Sequence, residues 1–249
     1  MTDNASSKLP DIILNRPREA ARTFHALIRE ALPEAKVISS PLINIKFLSK
    51  SIDFTRFDAF IFTSINGVQA IENQRIPPGK LCFAVGEKTA QAAKSIGFKV
   101  LYSEGNFENL ISMILSHPYK GRFLHIRGKY SRGDISKKLS ESGRPCEQMI
   151  VYHQKSQALT HEAKISINRG KPLIFPLFSP RTAKLLMEEI LPNDHCYIIA
   201  MSNNISTICK ENGCTNITVS KSSNAKSMLE SVIKIYNMIS RLETIIGEK

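Results

Sequence analysis

The chain has 249 residues, 42% of them hydrophobic, and a net charge of +12 from 34 basic and 22 acidic side chains. That length holds one large domain or two of about 120 residues, with enough apolar material for real cores. No apolar run approaches the roughly 18 residues of a membrane span, and the polar stretch 1–9 lacks the apolar core of a secretory signal, so disorder is expected there. Five cysteines without framework spacing fit a reducing cytoplasm.

Short apolar strands alternate with helices of ten to fifteen residues, the pattern of parallel α/β sheets. A strand at 12–14 leads through Asn15-Arg16-Pro17 into a helix ending near Ala31. Pro17 takes a first-turn place, and Ala20, Phe24, Leu27, Ile28 and Ala31 keep helical spacing. Residues 38–48 read as extended, with Pro41 arguing against helix. Strands are predicted at 58–62, 81–85, 99–102, 123–126 and 147–151, with Gly97 and Gly143 just past helix ends. Residues 147–154 are again extended, and side by side the two extended stretches would pair as a short ladder. Further strands are predicted at 173–178, 196–200 and 217–219. Ser179-Pro180 caps a helix carrying Ala183, Leu186, Met187, Ile190 and Leu191. A last helix from near Ser223 places Met228, Leu229, Val232, Ile233, Tyr236 and Ile239 on one face. Lys234, Asn237, Arg241 and Glu243 break its stripe over 232–246, so it reads as an amphipathic surface helix.

The same unit occurs twice, and the second copy is divided between the chain's ends. Phe60-Ile61-Phe62-Thr63-Ser64 is echoed by Phe175-Pro176-Leu177-Phe178-Ser179. The run from Cys82 through Gly86 to Gly97 is echoed by that from Cys196 through Ser202 to Gly213, the glycine standing eleven positions after Gly86 or Ser202 in each. The strand and arginine loop Phe123-Leu124-His125-Ile126-Arg127-Gly128 has its counterpart at the start, in Ile12-Ile13-Leu14-Asn15-Arg16-Pro17. The expected architecture is two similar doubly wound, flavodoxin-like parallel-sheet lobes. Residues 1–39 and 156–249 would form a discontinuous outer lobe and 50–147 an inserted inner lobe. The crossings at 40–49 and 148–155 would make a hinge, with a ligand cleft between the lobes.

Ligands of open parallel sheets gather at the carboxyl ends of the strands. The loops there are Arg16, Thr63-Ser64-Ile65-Asn66, Gly86 to Thr89, Arg127-Gly128, Ser179-Pro180-Arg181 and Ser202-Asn203-Asn204. They offer backbone N–H groups and hydroxyls at helix starts, an arrangement that suits anions. Ser64, Ser179 and Ser202 also read simply as helix caps. With lysines scattered and no block of five like charges, the basic excess is either a solvated surface or an attraction for an anionic small ligand. Nucleic acid is the weakest reading, lacking arginine-rich runs and interleaved aromatics. There is no Walker A, G-x-G-x-x-G, H-E-x-x-H or G-x-S-x-G, and the histidines form no cluster. Cys82 and Cys196, opening equivalent strands, read as core, and Cys209 and Cys214 lack the further ligands of a zinc site. No metal and no cofactor are called for.

As a whole the pattern resembles the uroporphyrinogen-III synthase family. The matching stretches are Leu14-Asn15-Arg16-Pro17, Phe57 through Thr63-Ser64-Ile65-Asn66-Gly67-Val68, Ala84-Val85-Gly86-Glu87-Lys88-Thr89-Ala90, Leu124 to Gly128, Val151-Tyr152 and Phe178-Ser179-Pro180. Asn15 replaces the family's usual threonine, and Ser202-Asn203-Asn204-Ile205 lacks the threonine that Thr89 supplies in the first copy. The resemblance covers about residues 11–235. It implies a cofactor-independent cyclising lyase of tetrapyrrole, porphyrin and heme synthesis acting on hydroxymethylbilane, a linear tetrapyrrole with eight carboxylates. It implies Tyr152 as catalytic proton donor, the other reading of Tyr152 being an amphipathic core residue. Substrate binding falls to Arg16, Thr63, Ser64, Asn66, Gly86, Lys88, Thr89, Arg127, Gly128, Ser179 and Ser202. A cytoplasmic monomer is expected, with passing contact to the enzyme that makes the substrate and no nucleic acid or membrane partner. The competing reading is a two-lobed small-anion-binding or sensor protein without catalysis.

Overall fold

The computed structural model describes residues 9–104, 107–130 and 133–247, with side chains only as far as Leu242 in the last helix. The expectation for residues 1–9 lies outside these, apart from Leu9. Strands β1 (Asp11–Leu14) and β2 (Val37–Ser39) flank helix α1 (Arg18–Ala31), and β3 (Ile43–Phe47) follows. After a 3-10 turn at Phe54–Arg56 come β4 (Ala59–Phe62), α2 (Ile65–Gln69), β5 (Leu81–Val85), α3 (Glu87–Ser95) and β6 (Lys99–Ser103). Then follow α4 (Phe107–Ser116), β7 (Phe123–Gly128), α5 (Ile135–Glu141) and the long β8 (Cys146–Ser156). The remaining elements are α6 (His161–Asn168), β9 (Leu173–Leu177), α7 (Pro180–Glu189), β10 (Cys196–Ala200), α8 (Asn203–Glu211), β11 (Asn216–Val219) and α9 (Ala225–Gly247).

The chain divides into two compact units, one of residues 1–44 and 156–249, the other of residues 45–155. The first holds a five-stranded sheet in the order β2-β1-β9-β10-β11, all parallel. The second holds β8-β7-β4-β5-β6, also parallel, with β3 added outside β8. In the first unit the strands, counted in chain order, lie 2-1-3-4-5, the flavodoxin order. The second gives the same order once its count begins at β7, so it is the same sheet circularly permuted. β3 and β8 are the two crossings. Leu48 N–H donates to the Val151 carbonyl at 2.8 Å and Gln157 N–H to Leu42 at 3.0 Å, so the two strands run antiparallel.

Every residue of β4 and of β9 is buried, because helices cover both faces of a parallel sheet. In the inner unit Phe60, Phe62, Leu124 and Ile126 pack on one face, and Ala59, Ile61, Phe83 and Phe123 on the other with α4 and α5. In the outer unit Ile13, Phe175 and Leu177 face α7 and α8, while Ile12, Leu14 and Ile174 face α1 and α9. Pro176, which lacks an N–H, sits just beyond the two paired positions of β1 and β9. The equivalent β7–β4 ladder, with Ile61 at that place, runs for four.

Four local readings change. Pro17 is the cap of α1 rather than its first residue, and fully buried Ala21 takes the place given to Ala20. Ile190 and Leu191 both lie outside α7, which ends at Glu189: Ile190 is its extended cap and stays buried, while Leu191, held from helical geometry by Pro192, is 92% exposed. Ile235, not Ile233, joins the buried face of α9. Cys82 and Cys196 are buried as expected but are not equivalent: register pairs Phe60 with Cys82 and Phe175 with Ile198, leaving Cys196 two positions earlier.

Candidate functional site

All strands of a parallel sheet end on one edge, so each unit gathers its loops there. In the inner unit the edge carries Thr63, Ser64 and Asn66 after β4, Gly86, Lys88 and Thr89 after β5, and Arg127 and Gly128 closing β7. In the outer unit it carries Arg16, Ser179 and Ser202. Register makes Arg16 the counterpart of Arg127, Phe178 that of Thr63, and Ser202 that of Gly86.

Tyr152 belongs to the inner edge. It pairs with Gly128 across an irregularity in the β7–β8 ladder, and its carbonyl accepts from Lys129 N–H at 3.0 Å. The side chain is 3% exposed, edge-on to Phe47 at 6.5 Å. A Cβ at Gly128 would stand 2.5 Å from ring carbons of Tyr152 and 2.9 Å from its hydroxyl oxygen. Only glycine admits the ring so close to the strand end.

The hydroxyls divide by what they already hold. Ser64 accepts from Asn66 N–H at 3.3 Å, and Ser179 accepts from Thr182 N–H at 3.1 Å with Thr182 Oγ1 at 2.8 Å. Both are caps. Ser202 opens α8 with no side-chain cap bond. Gly86, at φ +76°, opens α3, and its own N–H donates to the Ser103 carbonyl at 2.9 Å, leaving the first-turn amides from Glu87 onward to face a ligand. Lys88 is exposed, whereas Thr89 turns inward and is buried.

The two arginines differ. Arg127 donates to Gln148 Oε1 at 2.8 Å and to the carbonyls of Gly128 at 3.0 Å and Lys129 at 3.1 Å, which fixes it within its own unit. Arg16 Cζ stands 3.8 Å from the centre of the Phe178 ring, and burial lowers its proton affinity. Beneath Thr63 lies His125, 1% exposed, with Nε2 3.5 Å from Thr63 Oγ1 and a buried Nδ1 without a partner. Burial and then Arg127 push its pKa down to about 4 against the pull of Asp134. His125 is therefore neutral at pH 7.

Sequence reading missed His125, Phe178 and Asn15 as parts of these edges. Asn15 is fully buried and donates from Nδ2 to the Ser40 carbonyl at 2.9 Å, tying β1 to the departing chain. The signal for Phe178 was present, since the repeat itself sets a phenylalanine opposite Thr63. Among the described residues no group of three or more His, Cys, Asp or Glu side chains could hold a metal ion, and no helix is long and apolar enough to cross a membrane.

Residues 23–230 match the family described as Uroporphyrinogen-III synthase HemD. A uroporphyrinogen-III synthase of Chlorobaculum parvum is 29% identical over 196 residues, covering 72% of this chain and 78% of that protein. The crystal structure of uroporphyrinogen-III synthetase from Helicobacter pylori superposes with a TM-score of 0.66 at 20% identity, over 91% of this chain and all of the other. A mutant uroporphyrinogen III synthase of Thermus thermophilus gives 0.57 at 16% identity, over 92% and 99%. At such identities these two likenesses speak for the fold.

Proposed function

This chain belongs to the uroporphyrinogen-III synthase family, and on that premise we propose how its own residues carry the reaction. The activity is that of a cyclising lyase of tetrapyrrole synthesis. The single observation behind the reading is that the family match, residues 23–230, runs through both units and takes in their strand-end loops except that of β1, where Arg16 stands.

In the proposed course hydroxymethylbilane loses its terminal hydroxyl as water, leaving an electrophilic methylene. The substituted carbon of the last ring attacks that methylene and forms a spirocyclic intermediate. One bond of the spiro centre breaks and the ring recloses inverted. In water alone the linear molecule closes without inversion, so the chain's main task is to hold one folded conformation. The first-turn amides of α3 and α8, the Ser202 hydroxyl and the Arg16 guanidinium supply donors for the substrate's carboxylates. Tyr152 supplies a proton to the departing hydroxyl, its ring held against Gly128. Arg127, with three internal bonds, shapes the end of β7 and lends its charge at a distance. We place the protein in the cytoplasm as a monomer that receives substrate from the enzyme making it and binds neither nucleic acid nor membrane. All five cysteines are free thiols, consistent with a reducing compartment.

The test is isomer analysis. Purified chain without added metal or cofactor should turn fresh hydroxymethylbilane into mainly the type III product, and dominance of type I would overturn the proposal. Tyr152→Phe should keep the fold and lose about tenfold or more in kcat with KM little changed. Unchanged kcat in that variant would leave Tyr152, a buried member of the inner core, with a packing role alone.

A further inference from the structure

The outer unit carries a cation without an anion. Arg16 leaves the carboxyl end of β1, half-buried, with its guanidinium over Phe178 at 3.8 Å. Phe178 is itself held edge-on by Phe24, with centroids 5.0 Å apart and planes at 81°, and Phe24 is 1% exposed in the core under α1. Among the described residues no carboxylate lies within ion-pair distance of Arg16, and none of their oxygens accepts a hydrogen bond from it. Its counterpart Arg127 has three such acceptors.

A partly desolvated guanidinium left unpaired costs stability until an anion arrives. Stacking uses the face of the group and leaves its in-plane fork of N–H donors unspent. That fork matches a carboxylate bidentately. The aromatic beneath supplies attraction to the cation without competing for those donors.

We propose that Phe178 is a positioning residue that aims the Arg16 fork at a substrate carboxylate, making the β1–β9 corner of the outer unit a carboxylate subsite. This deepens the function proposed above and rests on it. The inner unit has no equivalent: Thr63 replaces Phe178, and the arginine there is already engaged. The outer edge therefore contributes charge where the inner edge contributes a hydroxyl.

Steady-state kinetics on the full chain with hydroxymethylbilane tests this. Phe178→Leu keeps the apolar bulk and removes the aromatic face. It should raise KM about three- to fivefold with kcat and the type III share unchanged. Phe178→Tyr, which keeps the face, should stay within about twofold of the parent. Arg16→Met should raise KM about tenfold or more, and in that background Phe178→Leu should add nothing. An equal rise from Phe178→Leu in both backgrounds would mean that Phe178 acts by packing alone and would overturn the proposal. So would an unchanged KM in Phe178→Leu while Arg16→Met binds weakly, which leaves Arg16 as an unaided contact. Normal KM in Arg16→Met with type III product would remove the subsite but leave the synthase reading standing. Type I product from the parent chain would sink that reading itself.

Discussion

The outer sheet, read β2-β1-β9-β10-β11, and the parallel part of the inner sheet, read β8-β7-β4-β5-β6, repeat one plan strand for strand. They reach it from different starting points in the chain. The outer unit begins with its first two strands, releases the chain for the whole inner unit, and finishes after Ser156. What the two share is a backbone plan dictated by buried apolar strands. What they do not share is the chemistry at the strand ends: the outer unit has Arg16 over Phe178 and a Ser202 without a side-chain cap bond, the inner unit Arg127, Thr63 beside His125 and a positive-φ Gly86. A plan survives so long as its strands stay apolar on both faces, whereas a site changes with a handful of side chains.

The sharpest way to break the comparison is to cut the chain. Residues 45–155 contain the inner unit's strands and helices, short only of the first two residues of β3 and the last of β8, and should melt cooperatively alone. Residues 156–249 lack β1, which lies between β9 and β2, and should show no cooperative transition. Joining about Ser39 to about Ser156 through a short Gly/Ser linker should restore one. A cooperative melt from residues 156–249 alone would mean that the outer sheet does not need its N-terminal strand.

A smaller effect separates the units at His125, whose outer counterpart by register is Leu14. Its folded pKa of about 4 lies below the ordinary 6.5, so between those values the unfolded chain binds a proton that the folded chain refuses. Stability should then be full above about pH 6.5 and fall as pH drops toward 4, by at most about 3 kcal/mol from this group. His125→Leu, which installs the outer unit's solution, should flatten urea-measured stability across that window. An unaltered pH slope in the variant would assign the loss to other groups.

The smallest difference is at the caps. Ser179 opens a ten-residue helix with proline behind it, and Ser64 opens one of five residues. Ser179→Ala should cost about 1 kcal/mol in thermal or urea unfolding, and Ser64→Ala less. Equal costs would show that the short helix depends on its cap as much as the long one.

Much of this was legible in the residues alone. The strands, the split repeat and the pairing of Arg16 with Arg127 follow from apolar runs of strand length punctuated by proline and glycine, because burial on both faces of a parallel sheet demands such runs. The resemblance carried by Leu14 to Pro17, Phe57 to Val68 and Val151-Tyr152 also lay in the sequence. Placement within one turn was less legible: Leu191 carries the helical spacing but falls before a proline, and Cys196 looks like the mate of Cys82 until register shifts it by two. What only the tertiary structure decided is which polar groups are already spent. Arg16 and Arg127 stand in equivalent places, yet one lies unpaired on an aromatic ring and the other is bonded to Gln148 and two carbonyls. Gly128 is an ordinary strand-end glycine until the Tyr152 ring is found against it. Periodicity reports which face of an element is buried, but hydrogen bonds and stacking depend on residues distant in the chain, and folding alone brings those together.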